Sequence, residues 1–176
     1  MSTRGDFSIR PERPTDAPAV HAVLAAAFPD SGEAGLVDAL RGKARPFVSL
    51  VAESGGEIVG HVAFTPVAFD PLSPRYHLAL GLAPLSVAPA YRRRGIGSAL
   101  VEAGLVECRE LGADVAVVLG DPDYYARFGF VPASTLRLKS AFDAPEGAFQ
   151  ALVLKVFDVR PGMTTVLFRP EFDAFA

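Results

Sequence analysis

Apolar residues along this chain recur at two spacings, one helical and one alternating, and the switches between them lay out the elements before any chemistry is considered. Phe7 to Arg10 reads as a short first strand. Val20, Val23, Leu24 and Ala27 then fall at helical spacing behind Thr15 or Asp16, either of which can cap the helix, and that helix ends near Phe28. After Pro29-Asp30-Ser31-Gly32, residues Glu33 to Arg41 predict a second helix with Leu36, Val37 and Leu40 on one side. Phe47 to Glu53 and Glu57 to Phe64 predict two strands, joined by Ser54-Gly55-Gly56, which suits the positive backbone angles of a tight hairpin. A further strand runs from about Tyr76 to Val87.

The run from Ile96 to about Leu111 predicts a helix with one apolar stripe at Ile96, Ala99, Leu100 and Ala103 and another at Val101, Leu105 and Cys108, so that most of its circumference can be buried. Asp114 to Leu119 reads as a buried strand, and strand-helix-strand order over this length implies a right-handed parallel crossover. Asp121-Pro122 starts a short helix bearing Tyr124 and Tyr125. From Ser134 onward the chain is β-rich, with Ala148 to Phe157 and Thr164 to Phe168 the clearest strands and Pro161-Gly162 a turn between them.

Composition narrows the class. With 176 residues, half of them apolar, the chain suits a single domain over residues 1–176 whose carboxy-terminal part is β-rich from about residue 132. A net charge of -3 from 17 basic and 20 acidic residues gives no global pull toward nucleic acid or an acidic membrane, so any basic cluster is a local feature. One cysteine, Cys108, excludes an internal disulfide, and with three scattered histidines it offers none of the usual zinc spacings, so no structural metal is expected. The opening residues Met1 to Asp6 lead into no apolar signal core and no later run is long enough to span a bilayer, which makes the cytoplasm the expected location.

The local basic cluster is Arg92-Arg93-Arg94, followed by Gly95-Ile96-Gly97-Ser98 at the junction of the strand ending at Val87 and the helix beginning at Ile96. Two glycines let a backbone approach a ligand closely, and a helix start offers unpaired N–H groups and a positive dipole end. With three formal charges beside them, these features suit the pyrophosphate of a phosphorylated ligand. A solvated arginine patch before a simple turn would leave the same residues. The spacing is not that of a P-loop, which needs Gly-x-x-x-x-Gly-Lys-Ser/Thr, nor of a dinucleotide fingerprint, which needs a small residue where this chain has Leu100.

The pattern Arg/Gln-x-x-Gly-x-Gly/Ala, met by Arg92, Gly95 and Gly97, resembles the acyl-CoA loop of the Gcn5-related N-acetyltransferase (GNAT) superfamily. Leu85 to Tyr91 is similar to the strand end and turn that precede that loop, and Tyr125-Ala126-Arg127-Phe128-Gly129-Phe130 resembles the superfamily's Tyr-x-x-x-Gly-Phe segment. The opening Ser8 to Asp16 agrees more weakly. Gly120-Asp121-Pro122-Asp123-Tyr124-Tyr125 departs from the commoner Asn-containing helix start and resembles a subgroup of predicted N-acetyltransferases.

The resemblance implies an α+β fold: a mixed, mostly antiparallel twisted sheet with a splayed central parallel strand pair and flanking helices. Pro84, which cannot donate a ladder hydrogen bond, marks where those strands separate, although an edge strand or a bulge would also tolerate it. In the splay, Leu85 and Val87 occupy the positions that pair with the pantetheine arm of acetyl-CoA, as an added strand would. Arg92, Arg93, Arg94, Gly95, Ile96, Gly97 and Ser98 would hold its diphosphate, mainly through main-chain amides. The Leu85 amide would stabilise the oxyanion of the tetrahedral transition state, and Tyr125 would protonate the departing thiolate, with Tyr124 as the fallback.

No Asp or Glu lies in Leu78 to Val87, where some relatives place a base. That leaves His61, Glu33 and Asp70 as candidate bases or substrate contacts, His77 and His21 ranking below them, with water leading to backbone carbonyls as the preferred route. The function so implied is transfer of acetyl from acetyl-CoA to a small-molecule or peptide primary amine by direct attack in a ternary complex. A domain that binds acyl-CoA without transferring the acyl group is the alternative. Neither nucleic acid nor membrane is expected as a partner, and a homodimer is left open.

Overall fold

The computed structural model of the protein describes residues 3, 4, 6–30, 32–72, 78–159 and 161–175, and its chain opens with two antiparallel strands, β1 (Thr3–Arg4) and β2 (Phe7–Pro11). A 3-10 turn at Pro14–Asp16 leads into α1 (Ala17–Ala27). Asp16 does not cap α1 through its side chain, because Arg10 has taken the carboxylate: Nη1 and Nη2 donate to its two oxygens at 2.7 and 3.1 Å. The Arg13 N–H donates to the same carboxylate at 2.7 Å, and the Arg10 guanidinium holds Asp16 below the usual carboxylate range. The tie joins β2 to the 3-10 turn before α1 instead of capping α1.

The second helix, α2, spans Glu33–Lys43, and β3 (Val48–Ser54) and β4 (Glu57–Asp70) follow as the expected hairpin, with φ of 56° at Gly55 and 81° at Gly56. Strand β4 runs six residues past Phe64, the end foreseen from sequence. In the fold Pro66 sits opposite Leu80, and the later strand β10 (Thr164–Leu167) pairs with Ala68 to Asp70 and holds the extension in place.

Next come β5 (Ala79–Val87), α3 (Ile96–Glu110), β6 (Val115–Leu119), α4 (Pro122–Ala126), β7 (Val131–Pro132), β8 (Leu138–Ser140) and β9 (Phe149–Val153). Of the expected strand beginning near Tyr76, residues Tyr76 and His77 lie outside the described residues. The expected strand over Ala148 to Phe157 is shorter than foreseen. Its ladder with β6 ends at Val153 opposite Val115, and the N–H groups of Leu154 and Lys155 both donate to the Asp114 carbonyl, closing that edge.

The strand order is β1-β2-β3-β4-β5-β6-β9-β7, with β10 attached to β4 and β8 to β10. Neighbours on this path are antiparallel except β5 and β6, and β8 and β10 form a second parallel pair. Helix α3 covers one face, where Ile96, Leu100, Val101 and Leu105 join Leu50, Val62 and Phe64 in one core. The contact is close enough that a Cβ at Gly104 would overlap the Phe64 ring. Helices α1 and α2 cover the other face through Val20, Leu24 and Val37 packed on Val51. Among the described residues no helix is long and apolar enough to cross a membrane.

Candidate functional site

Strand β5 pairs with β6 only from Ala79 to Leu82, whereas its pairing with β4 continues to Val87 after a one-residue shift near Ala83 and Pro84. The two parallel strands therefore separate at Pro84, as a proline lacking an N–H allows. Hydrogen bonding alternates along an antiparallel ladder. Because the Ala88 N–H donates to the Val59 carbonyl at 2.8 Å, Ser86 faces β4 and the main-chain groups of Leu85 and Val87 face the opened side. The Val87 carbonyl is met there by Arg92 Nε at 3.2 Å, while the amides of Leu85 and Val87 have no strand beside them among the described residues.

The loop after β5 continues this row of donors. Arg93 and Gly95 both adopt left-handed backbone, with φ of 62° and 81°, and alternation of this kind turns successive N–H groups toward one concavity. Gly95 sits at the start of α3, and the first helical bond runs from the Ala99 N–H to the Gly95 carbonyl. Among the described residues, no acceptor meets the N–H groups of residues 93–98. These donors lie at the positive end of a helix of 15 residues.

Two cavities meet here. One, of about 540 Å³, is lined by Ser86, Val87, Arg92, Arg93, Gly95 to Ser98 and Arg127; the other, of about 630 Å³, by the diverging ends Leu82 to Leu85 and Leu119 to Asp121, together with Tyr125 and Glu33. Leu85, Tyr124 and Phe28 line both. Arg94 lines neither; its guanidinium rests over the Tyr91 ring, 5.2 Å from the centroid.

The two tyrosines differ in setting. Asp121 caps α4 by accepting the Asp123 N–H at 2.9 Å, which fixes the start of the short helix that carries both. Tyr125 is buried, packs at 5.8 Å on Phe130, and its phenol is pushed above the ordinary value by that burial, so it is protonated across the neutral range. Tyr124 stands edge-on to Tyr125 at 5.0 Å, under the Arg127 guanidinium at 4.4 Å. A Cβ at Gly97 would lie 2.8 Å from the Tyr124 hydroxyl, so glycine there leaves room for the tyrosine.

Among the base candidates, Glu33 lines the larger cavity, while Asp70 is exposed at the end of β4 and lines neither. His21 is exposed on α1 and bonded to Asp38 at 2.7 Å, and His77 lies outside the described residues. His61 is fully buried on β4 opposite Ser86 and lines neither cavity. The Ser49 hydroxyl spends its one proton on Glu12 at 2.6 Å, so His61 Nε2, 2.8 Å from that hydroxyl, must be the donor. His61 Nδ1 then carries a buried lone pair with no partner among the described residues, and burial pushes the ring down to about 4. The imidazole is neutral and enclosed.

Cys108 is fully buried on α3, and burial pushes its thiol up to about 12, so it is a packing residue and no nucleophile. Arg127, whose Nη1 lies 3.4 Å from Ser98 Oγ, was not among the site residues expected from sequence. Nor were Phe142, Phe168 and Phe172, which line the larger cavity from the far end of the chain. Only Arg127 had a local signal, its place within the Tyr-x-x-x-Gly-Phe segment.

Residues 8–133 match the family described as the acetyltransferase (GNAT) domain. An Escherichia coli protein named as an uncharacterised N-acetyltransferase, YhbS, is 39% identical over 143 residues, covering 81% of this chain and 84% of the relative. The crystal structure of a GNAT family N-acetyltransferase, YhbS, from Escherichia coli in complex with CoA superposes with a TM-score of 0.87 at 34% identity, covering 100% of this chain and 97% of that one. A GNAT family acetyltransferase from Brucella melitensis in complex with acetyl-CoA gives a TM-score of 0.75 at 38% identity, covering 95% and 98%.

Proposed function

This chain belongs to the GNAT family of acetyltransferases, and from that premise we propose that it transfers the acetyl group of acetyl-CoA to a primary amine by direct attack in a ternary complex. The observation that carries the reading is the row of unpartnered main-chain donors running from Leu85 and Val87 in the splay to residues 93–98 at the start of α3. The row follows the shape of the cosubstrate. Amides of the loop, aided by Arg92 and Arg93, hold the diphosphate, and the pantetheine arm adds as a strand beside Leu85 and Val87. Arg94 stands at the margin of that cradle. The Gly120 to Phe130 segment favours membership of a subgroup with a Gly-Asp-Pro start to α4.

The thioester carbonyl then lies where the two cavities meet. An acceptor that arrives as an ammonium first releases one proton to water; the neutral amine nitrogen then attacks the thioester carbon, the oxygen becomes negative facing the Leu85 amide, and one such donor contributes about 3 kcal/mol at the transition state. As the carbon–sulfur bond breaks, Tyr125 gives its phenolic proton to the thiolate. The proton lost by the amine restores the phenol through water, leaving the amide and CoA thiol as products. The phenol is protonated near neutrality, as the role requires, while burial makes it a weaker acid than a free phenol. Tyr124 is favoured as a second donor by one observation: it lines both cavities, whereas Tyr125 lines one.

The test is release of CoA thiol from acetyl-CoA with a panel of primary amines, run on the wild type, Tyr125→Phe and Tyr124→Phe. Loss of roughly tenfold to a thousandfold in turnover from Tyr125→Phe at unchanged acetyl-CoA affinity supports the assignment. Undiminished turnover removes Tyr125 from the role, and acetyl-CoA binding without thiol release across the panel sinks the catalytic reading.

A further inference from the structure

The larger cavity has a chemical character that narrows the acceptor. Its apolar wall is built from Phe28 at the end of α1, Leu36 on α2, and Phe142, Phe168 and Phe172 from the carboxy-terminal region. Three of these rings form a contiguous set: Phe142 stacks on Phe168 at 5.5 Å and 26°, and Phe168 meets Phe172 at 5.7 Å. Two carboxylates line the same space. Asp121 is already used, its oxygen capping α4. Glu33, the first residue of α2, has no such task, for its Oε2 is buried and without a hydrogen-bond partner among the described residues.

A carboxylate oxygen removed from water without a donor costs more than one left in solvent, so Glu33 is poised for a donor that arrives with the substrate. An alkylamine is that donor, since near neutrality it is an ammonium carrying three N–H groups. The phenylalanine walls suit an apolar or aromatic body and add attraction for a nearby cation. They also discriminate. Hydroxyl groups of an amino sugar would lose water against phenylalanine with nothing to replace it, and the carboxylate of a free amino acid would face Glu33 and Asp121.

We propose that Glu33 is the anchor for the acceptor's ammonium group and that the acceptor is a primary amine on an apolar, preferably aromatic, body that lacks a carboxylate. The inference rests on the acetyltransferase reading, and its test is made independent of turnover. The protein is saturated with CoA, which cannot donate acetyl, and titrated calorimetrically with 2-phenylethylamine, its neutral analogue 2-phenylethanol, phenylalanine and glucosamine, in the wild type and in Glu33→Gln. The wild type should bind 2-phenylethylamine at least tenfold more tightly than the other three, a charge-assisted hydrogen bond being the difference from the alcohol.

In Glu33→Gln the preference over the alcohol should vanish while CoA affinity, the check on folding, stays unchanged. Equal affinity for amine and alcohol, an unaltered preference in Glu33→Gln, tighter binding of phenylalanine or glucosamine, or no binding of the amine would each overturn the proposal. Failure of thiol release with every amine, alongside the expected binding pattern, would count against acetyl transfer and leave the amine anchor standing.

Discussion

His61 offers a measurement in which the fold's electrostatics can be read directly. Its ring is fully enclosed, Nε2 is committed to Ser49, and Nδ1 has no hydrogen-bond partner among the described residues, so protonation at Nδ1 places in the sheet a charge that the Glu12 carboxylate offsets only in part. The folded-state value falls from 6.5 to about 4, and burial is the largest cause. Because the folded value is depressed, the unfolded chain binds the proton first as acid is added. The stability is fully present above pH 6.5 and is lost as pH falls through about 4.

At about 1.4 kcal/mol for each pH unit, the loss reaches about 2 kcal/mol by pH 5 and about 3 kcal/mol by pH 4. Carboxylates such as Asp16, held low by Arg10, also weaken the protein in acid, so the comparison must isolate the histidine. His61→Gln does so, since a glutamine amide can still donate to Ser49 but does not titrate. Urea unfolding at pH 7, 6, 5 and 4 should show the wild type losing about 3 kcal/mol more than His61→Gln over that range. Parallel pH profiles for the two proteins would refute the account of a neutral, enclosed imidazole.

Further outcomes follow from close contacts at the site. Gly97→Val should weaken acetyl-CoA binding in a calorimetric titration more than Arg94→Ala does, because a Cβ there lies 2.8 Å from the Tyr124 hydroxyl whereas Arg94 leans on Tyr91; the opposite order would favour a simple electrostatic patch. Gly120→Ala would set a Cβ 2.5 Å from the Tyr125 ring, so turnover should fall together with about 1–3 kcal/mol of stability, both measurable on one preparation. Cys108→Ala should retain turnover, and the wild type should resist iodoacetamide under native conditions, since the thiol is enclosed and pushed up to about 12.

Much of the site was legible because its requirements are local. The two glycines after Arg94 announce a loop free to take unusual backbone angles, and Gly95 meets the left-handed requirement within its own residue. The parting of β5 from β6 could be read at Pro84, since a missing N–H is a property of one position. Gly55-Gly56 fixed the hairpin for the same reason. The end of β4 was not legible, because the pairing that sustains it comes from β10, about a hundred residues later in the chain. Asp16 reads as a helix cap until the fold brings Arg10 to its carboxylate.

What the sequence alone determined, then, was the order of elements, the conformations demanded by glycine and proline, and a donor-rich loop between a strand and a helix. The tertiary structure decided which distant side chains share an enclosure: Phe142, Phe168 and Phe172 with Phe28, and Glu33 with a partnerless oxygen. Backbone preferences reside in neighbouring residues and survive in isolation. Burial does not, for whether a carboxylate or an imidazole meets water depends on apolar surfaces that come together only when the whole sheet and its helices close over them.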